Sequence, residues 1–115
     1  MPDGLRRNAE ATPIDVRSGV VRRTLNEGVH TMLVEFHMAK GSRIPTHTHP
    51  HEQIGYLASG RLRCRLGQTW MELKAGDSWC VPGNVEHEAE VLEDSIAIDV
   101  FSPPREEYRD LGLAR

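Results

Sequence analysis

The sequence predicts an all-β domain, and three observations lead to that prediction. Apolar and polar residues alternate at period two, which is typical of strands with one face buried and one face exposed. Glycine, proline, asparagine and aspartate interrupt the alternation at intervals of roughly 8 to 12 residues, the spacing of turns in sandwiches and barrels. No segment shows a long helical period.

Four segments alternate most clearly, and each is predicted to be a strand: 30–38, 61–66, 85–91 and 95–101. In the first three, the residues that share the predicted inward face are Met32, Val34, Phe36 and Met38; Leu62, Cys64 and Leu66; and His87, Ala89 and Val91. The fourth segment is apolar on both faces, so periodicity does not decide whether Asp99 points inward or outward. An inward Asp99 would need a partner or a function, because burying a charge is costly.

The two ends of the chain differ from its middle. Residues 1–13 show no periodicity, so we expect an N-terminal tail followed by a single domain over 14–115. Ser102 followed by Pro103 is typical of a helix N-cap and first turn, and Gly112 stands where a glycine ends a helix. The strands are therefore expected to finish near 102 and to be followed by a short C-terminal helix.

Composition excludes several functional classes. The chain has 115 residues with 14 Lys and Arg against 17 Asp and Glu, a net charge of −3, which argues against a nucleic-acid-binding protein. No apolar run approaches the roughly 20 residues of a membrane-spanning helix, and no apolar segment typical of a secretion signal is visible. Two cysteines, Cys64 and Cys80, are too few for a disulfide framework, so a cytoplasmic location is expected.

Six histidines stand out in so short a chain. In an extended segment, every second residue shares a face, with Cα atoms about 6.6 Å apart. One such face would carry His47, His49, His51 and Gln53. His87 comes from another strand and lies on its apolar inward face, where an imidazole needs a partner. The set favours a metal site over unrelated histidines bonded to backbone, since imidazole is a common ligand of Zn, Fe, Ni and Cu.

Two motifs around these residues resemble those of the cupin superfamily. Residues 41–60 match the first motif: a glycine, five residues, His-x-His and a closing glycine. Residues 76–87 match the second motif, which begins at a glycine, contains a proline and ends at a histidine. The resemblance implies a double-stranded β-helix, the cupin jelly-roll barrel, that binds a divalent metal ion. By the same resemblance the metal ligands are His47, His49, Gln53 and His87.

Two positions depart from the family pattern. Gln53 stands where the family usually has a glutamate, and Val91 stands where an asparagine often follows the second motif. A site of neutral ligands leaves a divalent ion its full charge, which favours an anionic substrate, and Zn, Ni or Fe rather than Mn. The role of His51 stays open between a further ligand, a group beside the ligands and a surface residue.

A second resemblance covers 47–56 and 99–108, which are similar to segments of the KdgF-type pectin-degradation cupins. Members of that family convert 4,5-unsaturated monouronates, released from pectin and alginate, to linear ketonised sugars. The resemblance therefore implies a small anionic sugar acid as substrate. It also implies functional roles for three residues: Asp99 as general acid and base, Phe101 as an apolar wall, and Arg105 as the partner of a carboxylate.

Two other functions would suit the same fold and ligands. An oxygenase cupin would use a redox metal to activate O₂ against a small organic substrate. A non-catalytic cupin would bind a sugar acid without turnover. In either case Arg105 has an alternative as a solvated residue of the predicted helix.

The outer surface of the domain leads to three further expectations. A stripe of arginines, Arg61, Arg63 and Arg65, is expected on the outer surface. It would form a solvated face, pair across strands with Glu86, Glu88 and Glu90, or bind an acidic polymer. Trp70 and Trp79 are assigned to the core or to an interface in preference to a surface that stacks against sugar. A homodimer is expected because an inward Asp99 leaves the opposite face of 95–101 apolar and in need of cover.

Overall fold

The structure is a computed structural model that describes residues 4–110, and it consists mainly of β-strands. The all-β prediction is therefore confirmed. The strands of the described residues are β1 Ile14–Arg17, β2 Val20–Glu27, β3 Met32–Met38, β4 Arg43–His47, β5 Glu52–Leu66, β6 Thr69–Lys74, β7 Ser78–Val81 and β8 His87–Ser102.

Two long strands, β5 and β8, form the centre of the sheet and pair antiparallel along nearly their whole length. Their outer partners change along their length. On β8, residues 95–101 pair with β3 and residues 87–90 pair with β4. On β5, residues 53–56 pair with β7 and residues 61–66 pair with β6. β2 and β1 continue the sheet beyond β3. The sheet can therefore roll up with both long strands running through its two halves.

A bend at Gly60 allows β5 to serve both halves. Pairing with β8 shifts register between Leu57 and Leu62, which marks an irregularity in the ladder. Gly60 has a φ of 94°, and a Cβ there would lie 2.1 Å from the Ser95 hydroxyl oxygen and 2.5 Å from the Asp94 carbonyl oxygen. Glycine is required for both the conformation and the close approach of β8.

The inward faces of the strands form the apolar core. Its larger cluster contains Val20, Met38, Leu57, Leu62, Leu73, Val91 and Ala97, and its smaller cluster contains Met32, Val34 and Phe101. The alternation predicted for β3 is confirmed at Met32, Val34 and Met38, which are buried, while Phe36 on the same face is partly buried and packs against both clusters. In β8, His87 and Val91 are buried as predicted, whereas Ala89 between them is partly exposed.

β8 joins into one strand the two that were predicted over 85–91 and 95–101. The polar residues between those segments resemble a turn in sequence, but Glu93 remains paired with β5. In the second half, Asp99 and Phe101 are 3% and 1% exposed, whereas Val100 is 37% exposed. Of the two orientations that periodicity leaves open, the structure has Asp99 facing inward.

The C-terminal helical segment is shorter than expected. Ser102 does not cap a helix because it is the last residue of β8, and its hydroxyl donates to the His30 carbonyl oxygen at 2.7 Å. A single 3₁₀ turn covers Glu106–Tyr108, with Arg105 at its N-cap position. Gly112, the predicted helix end, lies outside the described residues.

The segment that precedes β1 lies against the sheet. It contains a 3₁₀ turn, Asn8–Glu10, and the Asn8 side chain donates to the Glu35 carboxylate of β3 at 3.2 Å. The Asn26 side chain of β2 donates to the Gly4 carbonyl oxygen at 2.6 Å. Across residues 4–110, no helix has the length and hydrophobicity required to cross a membrane.

Candidate metal centre

Three histidines converge where β4 meets β8. His47 ends β4, His49 follows it, and His87 begins β8 directly opposite His47. One ligand nitrogen from each lies within 4.8 Å of the other two. The ring centroids of His47 and His87 are 4.0 Å apart, and those of His49 and His87 are 4.8 Å apart. The structure thus brings together the three histidines supplied by the two sequence motifs.

Each imidazole is oriented by a nearby backbone carbonyl oxygen. The distances from Nδ1 are 2.8 Å to Pro45 for His47, 3.0 Å to His51 for His49, and 2.9 Å to Val85 for His87. Because a carbonyl oxygen only accepts, Nδ1 carries the proton and donates in each ring. The three Nε2 atoms therefore carry the lone pairs that a metal ion would use.

Burial favours the neutral, metal-binding form of two of the three imidazoles. It lowers the pKa of His87 to about 4 and also lowers the pKa of His49. The Nε2 atom of His87 is buried and finds no hydrogen-bond partner among the described residues. A buried lone pair without a partner is costly, and a divalent cation would satisfy it.

Gln53 extends the cluster from β5. Its Oε1 atom lies 3.0 Å from the Nε2 atom of His49. Two donor atoms 3.0 Å apart can both lie about 2.1 Å from a single ion, the usual distance for nitrogen and oxygen ligands. The amide oxygen and three imidazole nitrogens thus form a neutral donor set that fits a divalent ion such as Zn, Ni or Fe.

The same Gln53 amide connects the histidine cluster to Asp99. Its Nε2 atom donates to the Asp99 Oδ1 atom at 2.9 Å, and the indole Nε1 of Trp79 donates to that same oxygen at 2.9 Å. Burial raises the pKa of Asp99 to about 6, although the two hydrogen bonds act in the opposite direction. A carboxyl group that titrates near neutrality can both accept and release a proton.

An aromatic ring and a cation lie beside the cluster. The Phe101 ring contacts His49 edge to face, with centroids 5.8 Å apart. The Arg105 guanidinium lies 5.3 Å from the centroid of Phe101 and 4.1 Å from that of Tyr108, and its Nε donates to Glu107 at 3.1 Å. The Arg105 side chain is only 12% exposed, so the structure does not support the alternative of a solvated helix residue.

These groups line a cavity of about 310 Å³ within the rolled sheet. Its polar lining includes His47, Gln53, His87, Asp99 and Arg105, and aliphatic and aromatic side chains form much of the remaining wall. A mostly apolar pocket with a few convergent polar groups, at the low end of the usual size range, is typical of a site for a small molecule.

Sequence reasoning missed two residues of this cavity. Trp79, assigned to the core or to an interface, lines the cavity and bonds to Asp99. Tyr108 packs its ring against Phe101, with centroids 5.5 Å apart, and also lines the cavity. Both contacts join residues distant in the chain, so no local pattern could indicate them. His51 lies beside the cluster, since its ring centroid is 5.8 Å from that of His49. Its Nδ1 atom is buried without a partner among the described residues, which argues against the alternative of a surface residue.

The arginines of the predicted stripe form ion pairs with glutamates. Ion pairs join Arg61 to Glu72 and Glu93, Arg63 to Glu90, and Arg65 to Glu86 and Glu88. The predicted cross-strand pairing is therefore confirmed for Arg63 and Arg65, whereas Arg61 pairs with two glutamates outside the predicted set. Because these carboxylates neutralise the stripe, the structure gives no support to binding of an acidic polymer there.

The central part of the chain matches a known protein family. The family model described as the cupin domain matches residues 34–101. Among curated proteins, none matches this chain.

Comparison with solved structures gives close matches over most of the chain. The structure of KdgF from Halomonas sp. is 32% identical in sequence, with a TM-score of 0.86 over 91% of this chain and 97% of the other. An RmlC-like cupin from Shewanella frigidimarina is 31% identical, with a TM-score of 0.85 over 90% of this chain and 93% of the other. A predicted oxalate decarboxylase from Thermotoga maritima, 20% identical over 85% of this chain and 97% of the other, shares the fold with a TM-score of 0.73.

Proposed function

The chain belongs to the cupin family, and from that premise we propose that it is a metal-dependent enzyme that converts 4,5-unsaturated monouronates to linear ketonised sugars. The observation that carries this proposal is the Gln53 amide, which contacts His49 on one side and Asp99 on the other. It places a proton-transferring carboxyl beside a metal-binding cluster. The resemblance to KdgF-type cupins supports the choice of substrate.

Four residues would hold the metal ion: His47, His49, His87 and Gln53. When bound, the ion supplies positive charge that attracts the substrate carboxylate and offsets negative charge on the departing ring oxygen. Since all four ligands are neutral, they cancel none of that charge. Zn, Ni and Fe are each compatible with this donor set.

The proposed reaction is an isomerisation in which Asp99 moves one proton. The substrate is a cyclic hemiacetal whose ring oxygen, O5, is attached to the C4–C5 double bond. Asp99 removes the proton of the anomeric hydroxyl, the C1–O5 bond breaks, and C1 becomes an aldehyde carbon while the electron pair stays on O5. The resulting enolate takes the proton back from Asp99 at C4, and C5 becomes a ketone carbon. Proton transfer by a positioned side chain accelerates reactions by about 10²–10⁴-fold.

Phe101 and Arg105 would orient the sugar acid in the cavity. Phe101 offers a buried ring for the apolar face of the sugar. Arg105 is held over that ring and can form two parallel hydrogen bonds to a carboxylate. Orientation of this kind keeps the anomeric hydroxyl and C4 within reach of one carboxyl group.

The test is an anaerobic assay with protein of measured metal content. A 4,5-unsaturated galacturonate monomer is added, and loss of the enol-ether ultraviolet absorbance is followed against the spontaneous rate without protein. We expect a rate well above background in the wild type, and a rate at background in His87→Ala and Asp99→Ala. Asp15→Asn, a change on the exposed strand β1, serves as the matched control and should retain the wild-type rate.

The remaining outcomes separate the competing functions. A fully metallated protein with no excess rate contradicts the proposed reaction. If turnover of another substrate then required O₂ and a redox metal, the oxygenase function would replace it. If the protein bound sugar acids with no turnover, and Asp99→Ala kept that affinity, a binding protein would replace it.

A further inference from the structure

Three neighbouring strands carry a row of three residues, of which the outer two, Trp79 and Asp99, line the cavity. Gly55 of β5 pairs with Asp99 of β8 on one side and with Trp79 of β7 on the other. Neighbouring strands are roughly 4.8 Å apart, so Trp79 and Asp99 start from backbones roughly 9.6 Å apart. Their side chains nevertheless meet, with the indole Nε1 of Trp79 2.9 Å from Oδ1 of Asp99.

The missing side chain of Gly55 makes this contact possible. A Cβ at position 55 would lie 2.0 Å from Nε1 and 2.0 Å from Cε2 of Trp79, and 2.3 Å from Oδ1 of Asp99. Such distances are far below any tolerated contact between heavy atoms. The indole therefore lies directly over the Gly55 backbone, and no other residue at 55 leaves room for it.

The two carboxyl oxygens of Asp99 differ in their hydrogen bonding. Oδ1 accepts from both Trp79 and Gln53, at 2.9 Å each. Within the described residues, Oδ2 accepts no hydrogen bond, although the Asp99 side chain lines the cavity. Rotation of the carboxyl group would break both bonds to Oδ1, so the two N–H donors hold one orientation.

From this geometry we infer that Trp79, lying on Gly55, is a positioning residue that holds Asp99 so that Oδ2 exchanges protons with the substrate. Trp79 acts through Asp99 and transfers no proton itself. The inference rests on the proposed function, because it gives Asp99 its role as acid and base. The inference also involves Gly55, which contributes by having no side chain where the indole lies.

The first test needs no substrate. The chain has two tryptophans, so a ¹⁵N-labelled sample gives two indole N–H signals, and exposed Trp70 provides the internal reference. We expect the Trp79 indole proton to exchange with solvent more slowly than that of Trp70. In Asp99→Ala the difference should disappear, whereas Asp15→Ala should leave both signals unchanged. An indole signal whose exchange rate does not respond to Asp99→Ala contradicts the inference.

The second test measures kcat and KM separately in the anaerobic assay. Trp79→Phe keeps an aromatic ring but removes the N–H donor, and we expect kcat to fall about 10- to 100-fold, with KM, metal content and melting temperature close to wild type. Trp70→Phe is the matched control and should change none of them. Gly55→Ala should reproduce the loss of kcat, because its methyl group displaces the indole.

The outcomes distinguish this inference from the proposed function. A Trp79→Phe protein with wild-type kcat overturns it, as does one whose kcat falls only in proportion to lost metal or lost folded protein. If Gly55→Ala does not fold, Trp79→Phe still decides. If the wild type shows no uronate turnover, the proposed function has failed. The indole exchange measurement alone then tests whether the hydrogen bond from Trp79 holds Asp99 in place.

Discussion

An amide at position 53 differs from a carboxylate in its effect on Asp99. Gln53 donates an N–H to Oδ1 of Asp99 while its own oxygen faces His49. A glutamate would replace the donor by a second acceptor, 2.9 Å from an oxygen that is already buried. Two carboxylates at that distance repel, and one of them would have to be protonated. The departure from the usual glutamate is therefore explained by the neighbouring aspartate.

Gln53→Glu tests this explanation. The new carboxylate remains a good metal ligand, so we expect metal content to be retained while the anaerobic rate falls by at least about tenfold. Metal analysis and the uronate assay on the same sample measure the two effects separately. Gln68→Glu, an exchange in the exposed turn between β5 and β6, is the control and should leave both unchanged. A Gln53→Glu protein with full activity would contradict the explanation.

Single residues of the site differ in how well the sequence predicts them. His47, His49 and His87 belong to local motifs whose spacing reflects ligand geometry, so the sequence alone is enough to recognise them. Trp79 and Gly55 could not be recognised in this way, because their roles depend on which strands lie side by side. Cross-strand register is a property of the folded sheet, and the order of residues along one chain does not display it.

At the scale of elements, the bend in β5 depends on a residue that has no side chain. Gly60 combines a left-handed φ with contact distances to β8 that exclude a Cβ. We expect Gly60→Ala to lower the free energy of unfolding by about 2–3 kcal/mol, from backbone strain together with displacement of Ser95 and Asp94. Urea unfolding of the metal-free protein measures this change.

Gly76→Ala provides a matched comparison. Gly76 has a similar φ of 97°, but a Cβ there would meet no atom of residues 4–110 within 4 Å. Only the conformational cost remains, so we expect about 1 kcal/mol. Equal losses in the two variants would show that the close approach of β8 contributes nothing to the requirement for glycine at 60.

Elements also show where sequence patterns stop being informative. The alternation over 30–38 and 61–66 predicts strands that the structure contains, since burial of one face imposes period two. The polar residues near 94 predict a break between two strands, but in the structure they lie within β8. Their side chains accept hydrogen bonds from backbone N–H groups of other segments: Asp94 from Lys40, and Ser95 from Arg61. A polar pair can satisfy backbone groups within a strand as well as between strands, and local sequence does not distinguish the two.

At the scale of the whole molecule, residues 4–110 leave one outer face of the sheet without cover. Ile54 and Tyr56 of β5 are 52% and 50% exposed, and Val100, opposite Ile54 on β8, is 37% exposed. Their register partners on the same face, Ile98 and Cys80, are also uncharged. A contiguous apolar face of this kind is typical of an interface between identical copies.

We therefore expect a homodimer through this face. Sedimentation at micromolar concentration should give the mass of two chains, and Val100→Asp should give that of one chain, because two-fold symmetry would bury both introduced charges. Val29→Asp, at a loop position that is 85% exposed, is the control and should remain dimeric. A wild-type monomer under these conditions contradicts the expectation.

Metal binding should appear as a change in the stability of the whole domain. An ion that binds only the native state, at 100 times its dissociation constant, adds about 2.7 kcal/mol. For a domain of this size that corresponds to a rise of roughly 10 °C or more in melting temperature. We expect chelation to remove this rise in the wild type. His87→Ala should melt at the same temperature with and without the ion, whereas His30→Ala, an exposed histidine, should respond like the wild type. If the melting temperature of the wild type is the same with and without the ion, the proposed metal centre is contradicted.

The central pairing of β5 with β8 has a consequence for the order in which the molecule assembles. β6 and β7 separate these two strands in the chain, so their ladder forms only after a long loop has closed. His87 reaches His47 through the pairing of β8 with β4, so the ligands meet only once distant segments have docked. Topologies rich in such distant pairings fold slowly, on a scale of roughly milliseconds to seconds. An ion that can bind only after these segments have docked does not speed up folding. Its binding instead slows unfolding and so lengthens the lifetime of the folded barrel.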